Sequence, residues 1–258
     1  MTTKSQAEKA RLFARLHVKG DPLVLYNIWD AGSARAVVGA GGRAIATGSW
    51  SVAAAQGFED GEAIPLDLVE QNVRRIVASV DLPVTVDFEG GYDTAPDAVA
   101  NNAARMITAG AVGINFEDRI VGGSGLHDVV AQCARIAAIR SMADGMGAAF
   151  FINARTDLFL AASDTNRHPD LISAAKQRAV AYRDAGASGF FAPGLAAAGL
   201  IAEICDACPL PVNILMREGV PSIPRLAELG VSRVSYGPYP FIALMAELKQ
   251  RAAALRAG

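Results

Sequence analysis

Val84-Thr85-Val86-Asp87-Phe88-Glu89-Gly90-Gly91-Tyr92 is a β-branched run that ends in two carboxylates and two glycines. Alternate residues of a strand face the same way, so Asp87 and Glu89 are expected on one side of its C-terminal end. Close carboxylates repel unless a cation or a proton lies between them. The glycines allow a sharp turn and close approach of a ligand. Two later runs share this form. Ala111-Val112-Gly113-Ile114-Asn115-Phe116 ends in Glu117-Asp118, and Ala149-Phe150-Phe151-Ile152-Asn153 ends in Ala154-Arg155-Thr156-Asp157. Acids and an arginine at successive strand ends point to an oxygen-rich metal site beside an anion site.

Outward from these runs, apolar strands alternate with helical segments along the chain. Helices are expected over residues 4–17, 32–39, 66–80, 96–109, 128–146, 170–185, 196–205, 222–229 and 241–256, with Ser33 and Asp128 as N-caps. Strands are expected at 22–26, 43–47, 84–87, 111–117, 149–153, 188–192, 211–215 and 231–236. Ala109-Gly110-Ala111, Ala185-Gly186-Ala187 and Leu229-Gly230-Val231 place a glycine between a helix end and a buried strand. Such alternation indicates a parallel sheet. About eight units predict a single (β/α)8 TIM barrel over residues 1–258, with an N-terminal and a C-terminal helix. An open doubly wound sheet is the alternative, but no G-x-G-x-x-G follows the first strand.

The 258 residues are 52% hydrophobic and 19% charged, with a formal net charge of −2. That suits a large core and offers no basic excess for nucleic acid or an anionic membrane. No apolar run reaches the length of a bilayer span, and the polar start has no secretory leader pattern. Three cysteines do not make a disulfide framework, so a cytoplasmic location is expected. Cys205-Asp206-Ala207-Cys208 has no second pair to complete a zinc site, and its thiols are expected to pack.

In a barrel of this kind the strand C-termini carry the active site. There the sequence places Asp30, Gly48-Ser49, Asp87, Glu89, Glu117, Asn153, Arg155, Asn213 and Ser235 with Gly237. Carboxylates without a histidine or cysteine cluster suit a hard cation. Mg2+ uses one or two direct carboxylates and keeps waters, and Mn2+ is a substitute. Asp87 is the expected direct ligand, with Glu89, Glu117 and Asp60 holding coordinated waters. A pairing of these acids with rim arginines is the plainer alternative. Arg155 presents a planar fork for a substrate carboxylate or phosphonate, unless Glu117 or Asp157 engages it. Backbone N–H groups at Gly48-Ser49-Trp50 form a candidate nest for an oxo-acid.

Taken together, several stretches resemble the isocitrate lyase / phosphoenolpyruvate mutase superfamily over nearly the whole chain. They are Trp29-Asp30-Ala31-Gly32-Ser33-Ala34-Arg35, Ala46-Thr47-Gly48-Ser49, Gln56-Gly57-Phe58-Glu59-Asp60, Val86 to Tyr92, Gly113 to Asp118, and Ile152 to Asp157. The resemblance implies a (β/α)8 barrel, Mg2+, an α-oxo or enolpyruvate-like substrate, and C–C or P–C bond chemistry. It implies Asp87 as metal ligand, Glu89, Glu117 and Asp60 as the water-mediated shell, Arg155 as the catalytic anion-binding arginine, and Gly48, Ser49 and Trp50 as the oxo-acid segment. It further implies a homodimer or homotetramer with an exchanged C-terminal helix.

The loop after Glu117 departs from that pattern. The lyases carry Lys-Lys-Cys-Gly there and the mutases a lysine and an asparagine. This chain has Arg119-Ile120-Val121-Gly122-Gly123-Ser124-Gly125-Leu126-His127. His127 is the one titrating group at the loop's end, a candidate acid or base or else a cap beside Asp128. Asn213 is a further candidate substrate contact. The expected function is a Mg2+-dependent lyase acting on a small α-oxo or hydroxy polycarboxylate through a metal-bound enolate, by C–C cleavage or decarboxylation in the manner of methylisocitrate lyase. The alternatives are a phosphonopyruvate hydrolase or phosphoenolpyruvate mutase-like P–C enzyme, and an oxo-acid binding protein without a catalytic lid.

Overall fold

The computed structural model describes residues 4–256. Eight strands, β1 (Leu23–Leu25), β2 (Ile45–Ala46), β3 (Val84–Asp87), β4 (Gly113–Glu117), β5 (Phe151–Arg155), β6 (Gly189–Phe191), β7 (Val212–Leu215) and β8 (Arg233–Ser235), form one sheet in the order β1-β8-β7-β6-β5-β4-β3-β2. Every pairing is parallel. The β1–β2 seam is joined by one parallel bridge, Ile28 to Thr47. The result is the expected (β/α)8 barrel.

The helices are α1 (Gln6–Arg15), α2 (Ala31–Gly39), α3 (Ser49–Ala55), α4 (Leu66–Ser79), α5 (Pro96–Thr108), α6 (Val129–Gly145), α7 (Leu158–Ala161), α8 (His168–Asp184), α9 (Ala198–Ala207), α10 (Ile223–Glu228) and α11 (Tyr239–Ala254). The sequence reading did not anticipate α3, α7 or the 3-10 turn Thr165–Arg167. Both short helices follow a strand directly, where too few residues remain to show a helical period. Ser33 is not the N-cap of α2. Asp30 caps it by accepting from the Ser33 N–H at 2.7 Å, and Ser33 takes the reciprocal capping-box position.

Glycines close helices as expected. Gly110, at φ 98°, follows α5, with Gly110 N–H on Ile107 C=O and Ala111 N–H on Met106 C=O. The same paired bonds follow α8 at Gly186 and α10 at Gly230. Each turn feeds the chain directly into the next strand.

Strand alternation separates two cores. Val86, Ile114, Phe116, Ile152, Phe190, Ile214 and Val234 join the large apolar cluster shared with the helices. Their neighbours Asn115, Asn153, Asn213, Arg233 and Ser235 are also buried and are linked to one another by hydrogen bonds. Helix α1 covers the opposite end, where Phe13 packs edge-on against Phe151 and His17 stacks on Phe151. Cys205 is buried and Cys208 half-buried, both free, and burial pushes their thiols up to about 12 and about 11, as befits packing groups.

Phe13 is fully buried in this plug. Phe13→Ala is expected to cost about 3–5 kcal/mol in urea unfolding, the usual range for an emptied aromatic site. A loss below 1 kcal/mol would mean that α1 is not part of the cooperative core.

Candidate functional site

The strand ends open into a cavity of about 250 Å³. Asp60, Asp87, Asn115 and Arg155 line its polar side, with Leu160, Phe191 and Leu215 on the apolar side. Asp87 ends β3, and its Oδ2 accepts from the Ser49 N–H at 3.0 Å and the Ser49 Oγ–H at 2.9 Å. Gly48 is the N-cap of α3, so these donors stand at a helix N-terminus, which favours an anion. Asp87 Oδ1 has only a 3.4 Å approach from Asn115 Nδ2. That oxygen is therefore open to a further ligand. The Ser49 N–H faces Asp87, while Gly48 and Trp50 line the cavity beside it.

Glu89 reaches the site by a different route from strand alternation. The strand stops at Asp87, and Glu89 has φ 51°. Its carboxyl is buried and accepts from the Glu62 N–H at 2.9 Å. Burial, then the charges of Asp60, Asp87 and Glu117, push its pKa up to about 8. Glu62 and Tyr92 share positive φ values of 61°, and the Tyr92 N–H donates to Glu62 Oε1 at 2.8 Å. Among the described residues these three are the non-glycine positions with positive φ, so local backbone strain is gathered beside Asp87. Arg135 of α6 holds this turn from beneath by donating to the Gly90 and Asp93 carbonyls. A Cβ at Gly90 would come within 3.0 Å of the Val121 side chain and 3.1 Å of the Glu62 carboxylate, so a larger residue there would have to push those side chains aside.

Asp60 keeps an exposed face at the rim, yet partial burial and the charge of Asp87 raise its carboxyl. Glu117 ends β4 and is 2.8 Å from Arg155 Nη1. Burial raises its pKa and the guanidinium opposes that. Arg155 also donates through Nε and Nη2 to both oxygens of Asp157, at 2.6 and 2.8 Å. Both engagements allowed by the sequence are thus present. A guanidinium has five N–H groups, so one hydrogen on each of Nη1 and Nη2 remains. Among the described residues Arg155 is the one cationic side chain that lines the cavity.

Asn213 lies beneath the floor, fully buried, accepting from the Ser235 Oγ–H at 3.1 Å. His127 does not line the cavity either. Its carbonyl accepts from Arg178 at 3.1 Å, and its N–H donates to the Asp118 carbonyl at 2.7 Å. Burial lowers the pKa of its ring, and the charges around it are Arg135, Asp118 and Asp128. The loop it ends is a narrow hairpin with a bridge between Arg119 and Leu126. Asp118 fixes its base by accepting from Tyr182 at 2.8 Å and Arg178 at 3.0 Å.

The sequence reading missed Asn27 and Asn115. Asn27 accepts from the Tyr236 and Gly237 N–H groups, both at 2.9 Å, and donates to the Thr47 carbonyl at 2.7 Å. Asn115 stands two residues before Glu117 and therefore on its side of β4, a spacing that could have revealed it.

Among the described residues no three histidines, cysteines or acids converge closely enough to hold a metal unaided. The donor chemistry nevertheless fits a hard divalent cation. Asp87 offers one open oxygen, and Asp60, Glu89 and Glu117 surround it with acids that burial and mutual repulsion hold above their ordinary range. One or two direct carboxylates with waters is the habit of Mg2+.

Fold and site together define a barrel enzyme class with acids at the strand ends, and the comparisons agree. The chain belongs to the phosphoenolpyruvate phosphomutase family, whose model matches residues 13–256, within the isocitrate lyase / phosphoenolpyruvate mutase superfamily. It is similar to a Burkholderia cenocepacia J2315 protein provisionally described as a phosphonomutase, at 47% identity and a TM-score of 0.94, covering 98% of this chain and 100% of that one. An uncharacterised protein of Mycobacterium tuberculosis is 37% identical over 90% of this chain and 83% of its own length. The 2-methylisocitrate lyase of Escherichia coli K12 is 28% identical, over 92% of this chain and 79% of its own. The relatives are lyases and mutases, and this chain is a member of that enzyme superfamily. No described helix is long and apolar enough to cross a membrane.

The raised Glu89 predicts a pH dependence. Its folded pKa of about 8 exceeds the ordinary 4.5, so the metal-free fold binds more protons than the unfolded chain between those values. Stability therefore falls as pH rises through that window. Glu89→Gln is expected to be about 1–3 kcal/mol more stable than the parent near pH 8.5 in EDTA, with a shallower pH slope. Urea titrations near pH 6 and pH 8.5 check this, and an unaltered slope would show that Glu89 is not the strained acid.

Proposed function

We propose that this protein breaks a C–C bond in a small α-oxo or hydroxy acid, with Mg2+ as its cofactor. The observation that carries the reading is Asp87, a carboxylate oriented by Ser49 on one oxygen and open on the other, with Arg155 lining the same cavity. Mg2+ would supply a Lewis acid for the oxygens of the oxo-acid. Asp87 would hold it directly, and Asp60, Glu89 and Glu117 would accept from its waters. Arg155 would direct its two remaining N–H groups at the substrate carboxylate, while Glu117 and Asp157 fix the plane of its guanidinium. The wall of Leu160, Phe191 and Leu215 would keep water from the carbanionic carbon formed as the bond breaks.

Proton supply narrows the chemistry. Residues 120–126 carry no carboxyl, imidazole, amine or thiol, and His127 lies outside the cavity. Loss of CO2 from a carboxylate β to the oxo group needs no base to begin, since the electron pair of the broken C–C bond passes into an enolate that then takes up one proton, whereas retro-aldol cleavage must first deprotonate a hydroxyl. Decarboxylation therefore asks least of these residues, and in retro-aldol cleavage the base would be one of the floor acids. P–C cleavage is the second reading, favoured by the phosphonomutase description of the Burkholderia relative. Against it, Arg155 is, among the described residues, the one cationic side chain lining a cavity that would have to neutralise a phosphonate dianion.

Thermal shift with Mg2+ and a panel of oxo-acids, dicarboxylates, tricarboxylates and phosphonates tests the reading, followed by turnover of whichever class binds. Saturation at about 100 Kd adds about 2.7 kcal/mol to the fold. A Mg2+-dependent shift with oxo-acids and measurable CO2 or C–C products is expected. Phosphate release from phosphonopyruvate would put P–C chemistry first. Binding without turnover of any ligand would leave an oxo-acid binding protein.

Two substitutions sharpen this. Asp87→Ala should abolish Mg2+ binding in calorimetry, and unchanged affinity would refute the ligand assignment. Arg155→Ala should weaken oxalate binding by about 1.5–3 kcal/mol, the worth of a charge-assisted hydrogen bond. No change would remove Arg155 from the anion site.

A further inference from the structure

Arg233 is a fully buried arginine on β8, where barrels normally place aliphatic side chains. Its Nη2 donates to Asn115 Oδ1 at 3.0 Å and its Nε approaches Ser235 Oγ at 3.4 Å. Among the described residues its Nη1 finds no hydrogen-bond partner. Among the described residues it forms no ion pair. An isolated buried charge is expensive, and a well-packed apolar residue in its place is often neutral or stabilising. Stability alone therefore does not account for it.

Its one polar contact under 3.4 Å leads to the cavity. Asn115 Oδ1 accepts twice, from Arg233 Nη2 at 3.0 Å and from Asn153 Nδ2 at 2.9 Å. A guanidinium only donates, so it requires the amide oxygen of Asn115 to face it. The Asn115 Nδ2 is then turned the other way, toward Asp87 Oδ1 at 3.4 Å and the cavity that Asn115 lines. A cation bonded to the amide oxygen also polarises the amide and makes its N–H groups better donors.

We propose that Arg233 is a positioning residue for anion binding, fixing and polarising the Asn115 amide so that it presents N–H groups to the negative oxygens of a bound oxo-acid from the cavity floor. This rests on the oxo-acid reading above. The charge of Arg233 is not cancelled from below. Its other titratable neighbour is His17, whose pKa burial and Arg233 itself push down to about 3, leaving a neutral ring. Burial lowers the pKa of Arg233 to about 9, opposed by the charge of Asp87, so it stays protonated at neutral pH. A positive charge beneath the cavity favours an anion and opposes a divalent cation. That opposition separates the proposed role from simple packing, which would move both ligands together.

Calorimetry on Arg233→Met is the test, with Mg2+ alone and then with oxalate at saturating Mg2+. The variant is expected to melt at or above the parent temperature and to bind Mg2+ as well as or better than the parent. It is expected to bind oxalate at least about tenfold more weakly. Unchanged oxalate affinity, or a parallel loss of Mg2+ and oxalate binding, would overturn the inference. Should the methionine variant not fold, Arg233→Lys keeps the charge and is expected within about threefold of the parent for oxalate. A tenfold loss there with intact Mg2+ binding would exclude charge as the cause. Parent protein that binds neither ligand overturns the oxo-acid reading, and this inference with it. Parent protein that binds both, beside an unaffected Arg233→Met, overturns this inference alone.

Discussion

The crowding of carboxylates around Asp87 is the constraint from which the surrounding structure follows. Asp60, Glu89 and Glu117 all bear on one another or on Asp87 in a partly buried space, and each is raised by that placement. Arg155 relieves one side by pairing with Glu117. It is held in turn by Asp157, whose backbone N–H donates to Asp118. Asp118 is fixed by Arg178 and Tyr182 of α8. Each acid nearest the cavity is thus supported by a shell further out, ending on a helix at the barrel surface. The same α8 arginine, Arg178, also anchors the loop after β4, since it donates to the His127 carbonyl at the loop's base.

The other side of the cluster is held by backbone geometry instead of charge. Glu62, Glu89 and Tyr92 occupy left-handed conformations that cost of order 1–3 kcal/mol each for non-glycine residues. They persist because the turn is over-determined. Glu62 and Glu89 exchange backbone-to-carboxylate bonds with their neighbours, and Arg135 grips two carbonyls from below. The Arg135 guanidinium also lies 4.7 Å from the centroid of the Phe116 ring, so this clamp is seated on the apolar core between strands and helices.

Much of the architecture was legible because parallel strands buried on both faces leave few choices. The eight alternating units and the glycines at 110, 186 and 230 define the barrel, and each glycine sits at a left-handed helix exit. Legibility failed where local rules gave way to tertiary ones. Period-two spacing put Asp87 and Glu89 side by side, but the strand ends at Asp87 and a left-handed residue delivers Glu89. Gly48-Ser49-Trp50 read as a nest of N–H groups for an oxo-acid, with no sign that it opens a short helix whose first N–H and hydroxyl orient Asp87. Arg233 escaped notice because Val231, Val234 and their neighbours read as an ordinary buried strand, and nothing local shows that a charge faces the interior.

The loop after β4 lies against the strained turn. Val121 packs over Gly90, the hairpin closes through Ile120 N–H to Gly125 C=O at 3.1 Å, and glycines at 122, 123 and 125 keep its tip thin. Such a loop can exclude water, which strengthens every charge interaction beneath it. Its residues 120–126 carry no carboxyl, imidazole, amine or thiol, and His127 at its end does not line the cavity. The acids with raised carboxyls lie elsewhere, at Asp60 on the rim and at Glu89 in the strained turn, where burial and neighbouring negative charge favour the protonated form. The titrating groups beside Asp87 thus belong to residues that the strands and the strained turn hold in place, and the loop adds apolar packing over that turn.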